Sequence, residues 1–402
     1  MGKIKIVALV VDEHKIIKPL EKINEFVIEF VNPDNFTFNE FNSDIILTVS
    51  DWRANIASIL IEAKKRNIPT LMFQDGTLDW IIQYQGDKYG GSGGPTHFHP
   101  ILTDKIATIG HQSARLISSW NEASKVEVVG FPIIQSIIDE IDFEKKEKLI
   151  IKDKVKVLVT STRQGWFCEE QKLSFIEALH DLNNYFSANN KYEVVWRLSR
   201  NLSDIVGVEN TLKDKESYEL KDIIVDSDIV VSAQSTVVVE AMLQNKPVAI
   251  IDYLNSPQFY STSWFITNKK QISSTIESML RREANRMSYQ DYLLNDILQL
   301  EKNSIELSAE LIKKIVEFKR QYPTKNLPEN MLGFNSPFNN IKRKYELNDI
   351  YPKIKEFDKL SNEELIFKIS RYKRENELLR NELKEKSIFK LVVKAINKIR
   401  KK

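Results

Sequence analysis

Short, continuously apolar runs alternate with segments of helical spacing along most of the chain. The runs Lys3–Val11, Phe26–Val31, Asp44–Val49, Thr70–Gln74, Lys105–Ile109 and Lys125–Val129 predict a first set of strands. Most lack the in-and-out alternation of a half-solvated strand, as parallel strands covered on both faces do. Between two of them, residues 55–66 put Ile56, Ile59, Leu60 and Ala63 on one helical face, which makes βαβ units. A charged stretch at 139–156 interrupts the pattern. A second set follows, with strands at Lys156–Ser161, Glu193–Leu198, Ile229–Ser232 and Val248–Ile251, and helices at about 169–186 and 236–244. Helical periodicity then runs over 288–319 until Pro323, Pro328, Gly333 and Pro337 break it. The pattern predicts an α/β protein with Rossmann-like domains at 1–140 and 150–287, helices at 288–321, a linker at 322–351 and a helical tail at 352–402. Two consecutive doubly wound domains place their ligand sites at the carboxyl ends of the strands, facing one another across a cleft.

Composition supports a folded body. Of 402 residues 42% are hydrophobic and 28% charged, close to the globular average, so a core can be buried. Cys168 is the only cysteine, which excludes an intramolecular disulfide framework and a cysteine-cluster zinc site. The apolar runs fall well short of the ~20 residues that span a bilayer, and the first residues carry no cleavable leader pattern; a cytoplasmic protein is expected. The net charge of +2 hides an asymmetry: residues 352–402 hold 16 Lys/Arg against 8 Asp/Glu, whereas residues 1–351 hold 42 against 48. A mildly acidic body argues against a nucleic-acid partner, which needs positive charge on the folded surface.

The strongest chemical signal lies in 226–252, DSDIVVSAQSTVVVEAMLQNKPVAIID. A strand ends at Ser232, Ser235 and Thr236 open a helix, and Glu240 sits one turn in. A helix start offers free backbone N–H groups and partial positive charge, which suits a diphosphate, while Glu240 can accept ribose hydroxyls. Read structurally, the same residues form an N-cap and a capping interaction. The order of apolar strand, Ser-x-x-Ser-Thr, Glu four residues on, and Asn-Lys-Pro-Val before another strand resembles the donor half of the GT-B glycosyltransferases, which are built from two Rossmann-like domains. That resemblance implies that the hydroxyls of Ser232, Ser235 and Thr236 touch donor phosphates and that Glu240 holds the ribose.

Other residues at strand ends add to this picture. Ser161 and Arg163 follow the first strand of the second domain, with Thr160 and Thr162 beside them, where a cation meets phosphate; Arg197 ends the next strand. Several bacterial polysaccharide transferases follow that arginine with a His-Pro pair, where this chain has Leu198-Ser199-Arg200. Asp226-Ser227-Asp228 spells a DxD motif but precedes its strand, which assigns it to the far end of the sheet, and no metal or other cofactor is expected. In the first domain Gln74-Asp75-Gly76 closes a strand. It resembles the acidic-Asp-Gly motif of Kdo and sialic acid transferases, which implies that Asp75 is the catalytic base; alternatively Asp75 is a turn residue. Five of the 12 glycines then crowd 86–94, ahead of His97 and His99, which could bind phosphate, act as an acid, or pack. Asp51, Trp52 and Arg53 follow the third strand and suit acceptor-sugar stacking, or in the case of Asp51 an N-cap.

In the tail, Leu365, Ile369, Tyr372, Asn376, Leu379 and Leu383 form a heptad seam with Asn376 at an a position, which suits a parallel coiled-coil homo-oligomer; an ordinary packed helix is the alternative. Beyond it Phe389, Val392, Ile396 and Ile399 share a face opposite Lys390, Lys394 and Lys398, a basic amphipathic helix suited to an anionic membrane surface. With this tail, the resemblance implies a glycosyltransferase on the inner face of the cell membrane. It would move a sugar from a nucleotide-sugar donor to a glycan or lipid-linked acceptor of envelope polysaccharide (capsule or O-antigen). The alternatives are a CMP-Kdo or sialic acid transferase, a nucleotide-sugar 2-epimerase, and a non-catalytic scaffold.

Overall fold

The computed structural model describes residues 2–10, 15–51, 53–85, 98, 100–141, 150, 153–162, 166, 168–199, 201–210 and 220–333. The heptad seam and the basic helix lie outside the described residues.

Eleven strands among the described residues form two sheets, with every pairing parallel. The first has the order β2-β1-β3-β4-β5-β6, with β1 Ile4–Leu9, β2 Phe26–Val31, β3 Ile45–Thr48, β4 Thr70–Phe73, β5 Lys105–Thr108 and β6 Val126–Val128. The second has the order β11-β10-β9-β7-β8, with β7 Val155–Thr160, β8 Tyr192–Arg197, β9 Ile229–Ser232, β10 Val248–Ile251 and β11 Trp264–Ile266. Every residue of β3, β4, β9 and β10 is buried, which is why those runs are apolar without alternation. In each sheet the first strand in sequence lies inside and the chain then winds outward in both directions. The strand order therefore reverses between β1 and β3 and between β7 and β9, and crevices for ligands open at the carboxyl ends there.

Two features depart from the sequence pattern. The periodic stretch 288–319 is two helices, Ala284–Ile297 and Ser304–Gln321. Asn303 caps the second by accepting from the N–H groups of Ile305 and Glu306. The break carries the chain back to the first sheet: Gln299 N donates to Ile109 O at 2.9 Å, and Gly110 lies so close that a Cβ there would meet Ile297 O at 2.2 Å. The second helix then buries Leu311, Ile312 and Ile315 in the core that holds Ile17 and Leu20, and pairs Lys313 with Glu25 and Arg320 with Asp44. The other departure is β11 with the following helix Ile272–Arg281, whose strand of three residues is too short to stand out as a pattern.

Lys105 and Glu127 form a buried ion pair at 2.8 Å, with side chains 0% and 1% exposed. Ser124 O takes another Lys105 proton, and Glu127 accepts from the N–H groups of Met331 and Leu332, so both charges are compensated. The DxD motif stands at the opposite edge from the carboxyl ends. Asp228 accepts from Lys156 N at 2.9 Å and Asp226 pairs with Lys156 Nζ at 2.7 Å, which fixes the amino ends of β7 and β9. Among the described residues no cluster of three or more His, Cys, Asp or Glu could hold a metal ion, and no helix is long and apolar enough to cross a membrane.

Candidate functional site

At the carboxyl end of β9 the chain turns through Ala233 and Gln234 into the helix Thr236–Leu243. Ser235 occupies the N-cap position in extended conformation (φ −160°), yet its side chain makes no capping bond. Its hydroxyl therefore claims none of the first-turn N–H groups, of which Val238 N donates to the Ser235 carbonyl at 3.1 Å. Its hydroxyl instead lies 3.2 Å from that of Ser232, which is 2.7 Å from that of Thr160 across the β7–β9 switch point.

This chain of hydroxyls sorts the expected donor contacts. Ser232 is fully buried and donates to Ala233 O, so it supports Ser235 from behind and has no face for a ligand. Ser161 is also a support: its hydroxyl meets Thr162 O and Ser199 Oγ and accepts from Ser199 N, tying the end of β7 to the end of β8. Ser235 and Thr236 are half-buried at the helix mouth. Arg197, at the end of β8, faces Glu240 within the range of a coulombic interaction. Burial pushes Glu240 up to about 7, and the cations Arg197 and Lys15 oppose that shift only in part. Burial likewise lowers Arg197, with Glu240 opposing. Lys15 comes from the first domain, after β1, so the carboxylate feels a cation from each half.

On the first-domain side Gln74 is 1% exposed and builds the turn that follows β4. Its amide donates to Gly76 O at 2.6 Å and Ser113 Oγ at 2.9 Å, and its carbonyl accepts from Ile109 N. The turn holds Asp75 exposed at the strand's carboxyl end. A Cβ at Gly76 would lie 3.2 Å from Thr236 Cγ2, so the turn and the mouth of the Thr236 helix are in contact. Tyr260, buried, joins them by donating to Ser235 O at 3.0 Å and accepting from Thr77 Oγ1 at 3.3 Å. Gln112 Nε2 donates to Phe259 O, and Arg115 pairs with Asp296, so the closed approach is held at several points. The carboxyl edges of the two sheets thus face each other, with Asp75 on one side and the Ser235–Thr236 helix end on the other.

The acceptor-side trio fares differently. Asp51 is 1% exposed and accepts from Leu102 N at 2.7 Å; burial raises its carboxyl above the usual range. It fixes the 102–103 loop and is neither an N-cap nor a surface for sugar. Arg53 holds the N-cap position of the helix Ala54–Lys65 with an exposed side chain. Trp52, His97, His99 and Arg163 lie outside the described residues. The sequence pattern did not mark Lys15, Gln74 as a turn-builder, or Tyr260, since each acts through contacts distant in sequence. Cys168 caps the helix Glu169–Ser187 through its sulfur, and burial raises its thiol, as for a structural cysteine.

Two parallel, doubly wound sheets meeting at their carboxyl edges are the GT-B arrangement. Among solved structures the chain is similar to the wall teichoic acid polymerase TagF, with a TM-score of 0.53 and 12% identity over 79% of this chain and 90% of that one. It is also similar to the UDP-GlcNAc 2-epimerase from Neisseria meningitidis solved bound to UDP-GlcNAc, with a TM-score of 0.52 and 12% identity over 78% of this chain and all of that one. At this identity the likeness establishes the fold. No family model matches the sequence, and no curated protein matches it.

The contact between turn and helix mouth is testable. Gly76→Val should hold the two edges apart, because its branched side chain would press on Thr236 where even one carbon is tight. The expected outcome is at least a tenfold loss of turnover with thermal stability within a few degrees of wild type, measured by product formation and melting.

Proposed function

We propose that the chain is a nucleotide-sugar-dependent glycosyltransferase of envelope polysaccharide assembly. The observation that carries this reading is the contact of the Asp75–Gly76 turn with the Ser235–Thr236 helix end, with Arg197, Glu240 and Lys15 grouped beside it. One edge offers a carboxylate for an acceptor hydroxyl, and the other offers N–H groups, hydroxyls and a cation for a leaving nucleotide.

In the proposed reaction the acceptor oxygen bonds to the anomeric carbon as its proton passes to Asp75, and the bond from that carbon to the nucleotide's phosphate oxygen breaks. The charge left on the phosphate is met by the first-turn N–H groups with Ser235 and Thr236, and Arg197 adds a cation. Glu240 accepts ribose hydroxyls. No step calls on a metal or another cofactor. The test is to follow nucleotide release from UDP-, GDP- and CDP-linked substrates with and without a glycan acceptor. Release that requires the acceptor supports transfer; release without acceptor, or none with any donor, contradicts it.

A second reading, a nucleotide-sugar 2-epimerase, has its own support. Such an enzyme needs further acids in the cleft, and Asp79 and Asp252 line a crevice there. Conversion of a nucleotide sugar to its 2-epimer without net nucleotide release would favour it.

The tail is proposed to attach the enzyme to anionic membrane and to pair it with a second copy through the Asn376 seam. Truncation after Tyr351 should abolish sedimentation with anionic vesicles and dimerisation, yet keep transfer to a soluble acceptor. Added salt should weaken vesicle binding of the full chain, since the attraction is screened within about 8 Å at physiological ionic strength. A truncated protein that still sediments or stays dimeric would contradict the assignment.

A further inference from the structure

The loop between β10 and β11 belongs to the second domain, yet its middle is seated in the first. Phe259 packs on the first-domain cluster of Met72, Leu78, Ile106 and Ile117, with its ring edge-on to that of Trp120 at 6.4 Å between centroids. Tyr260 beside it is 4% exposed. Polar bonds brace the loop from within its own domain. Asp252 accepts from Leu254 N at 3.1 Å, Ser256 N at 2.8 Å and Gln258 Nε2 at 2.9 Å, and Thr262 Oγ1 donates to Trp264 O at 2.7 Å. Phe259 and Tyr260 are therefore held by both halves of the molecule at once.

Two hydrogen-bonded routes connect this loop to the Asp75 turn. The short one runs from Thr77 Oγ1 to Tyr260 Oη at 3.3 Å and on to Ser235 O at 3.0 Å. The longer one starts at Gly76 O, which accepts from Gln74 Nε2 at 2.6 Å, and the same amide donates to Ser113 Oγ at 2.9 Å. Ser113 Oγ donates to Gln112 Oε1 at 3.4 Å, and Gln112 Nε2 donates to Phe259 O at 2.6 Å. Tyr260 and Ser113 each accept one proton and pass on their own, so donors and acceptors match along both routes. The routes begin at the residues that flank Asp75 and end on adjacent residues of the loop, one of which holds the N-cap carbonyl of the Thr236 helix.

A reacting group must be held within about 0.5 Å of its productive place, and a misplacement of about 1 Å can cost a hundredfold in rate. Asp75 is exposed on its turn, and the residues on either side of it are the ones the two routes hold. We infer that Tyr260 and Gln112 are positioning residues for transfer: acting through the Phe259–Tyr260 loop, they set the distance of Asp75 from the Ser235–Thr236 helix end. The inference rests on the proposed reaction. Tyr260 meets the Ser235 carbonyl and not its hydroxyl, and Gln112 meets only backbone of the loop and Ser113. Their loss therefore disturbs the alignment of base and donor and leaves the nucleotide's own contacts in place.

The experiment measures kcat and donor KM in the full-length protein with UDP-, GDP- and CDP-linked substrates and a glycan acceptor, alongside the Kd of the free nucleotide. Tyr260→Phe keeps the buried ring, and Ser235 O keeps its bond from Val238 N at 3.1 Å, so the variant folds. Its kcat should fall at least tenfold, with donor KM and nucleotide Kd within twofold of wild type. Thr77→Val and Gln112→Leu should each lower kcat at least threefold, and Thr77→Ser, which keeps the hydroxyl, should restore it. In an Asp75→Asn background Tyr260→Phe should cost less than a further twofold, because no base is left to place. Wild-type kcat in Tyr260→Phe would show that the bond is idle. Weakened nucleotide binding, or a further tenfold fall in the Asp75→Asn background, would show that it serves the fold of the helix mouth. Each of these results overturns the inference and leaves the proposed function standing, whereas no transfer by the wild type with any donor overturns that function and the positioning role together.

Discussion

Glu240→Gln should make the ligand-free protein more stable at pH 8 while weakening its hold on a nucleotide at least tenfold. Burial pushes the Glu240 carboxyl from 4.5 up to about 7. Between those values the folded protein keeps a proton that the unfolded chain has released, so stability falls as pH rises through that window and levels off above it. At 1.36 kcal/mol per pKa unit, the ionised carboxylate costs the fold roughly 3 kcal/mol at pH 8. Glutamine carries no charge and escapes this cost. The variant's melting temperature should therefore exceed that of wild type at pH 8, and the two should converge towards pH 4.5. The nucleotide sees the opposite effect, because a neutral amide accepts from ribose hydroxyls more weakly than a carboxylate does. Melting curves at pH 5 and pH 8, paired with calorimetric titration, measure both. A variant less stable than wild type at pH 8 would mean that the carboxylate serves the fold.

The second large effect is expected at Asp75. Asp75→Asn keeps the size and polarity of the side chain but removes the proton acceptor, and turnover should fall at least a hundredfold, the usual contribution of a general base. Nucleotide affinity should not change, because Asp75 stands on the acceptor side and the nucleotide is assigned to the Thr236 helix end. Single-turnover kinetics together with the nucleotide's Kd separate the two. Near-normal turnover in this variant would make Asp75 a turn residue and pass the base to another group.

Much of the fold was legible because parallel strands buried on both faces leave unbroken apolar runs. Ten of the eleven strands fall on the runs read from the sequence, to within a residue or two, although the edge strands β2 and β8 are part-exposed. β11 escaped notice because three residues form no pattern. The break between Ile297 and Ser304 escaped because it is set by the packing of Gly110 on the chain, not by proline or glycine within the periodic stretch. Of the candidate site residues, Ser235, Thr236, Arg197 and Asp75 stand out in the sequence as hydroxyl or charged residues at or just past strand ends, and Glu240 as an acid one turn into the following helix. Burial could not be read the same way: Ser232 and Ser161 lie at those ends but spend their hydroxyls on the loops, and Asp51 turns inward to Leu102. Lys15 and Tyr260 reach the site from distant parts of the chain, and nothing local marks them.

The central claim is that a nucleotide binds against the Ser235–Thr236 helix end with Glu240 on its ribose. The direct measurement is a thermal-shift titration of the full-length protein and of Glu240→Ala with UDP, GDP, CDP and CMP. One nucleotide should stabilise the wild type by ~2.7 kcal/mol at 100 times its Kd, and Glu240→Ala should need at least ten times the concentration for the same shift. No stabilisation by any of the four, or an equal response from the folded variant, would contradict the account.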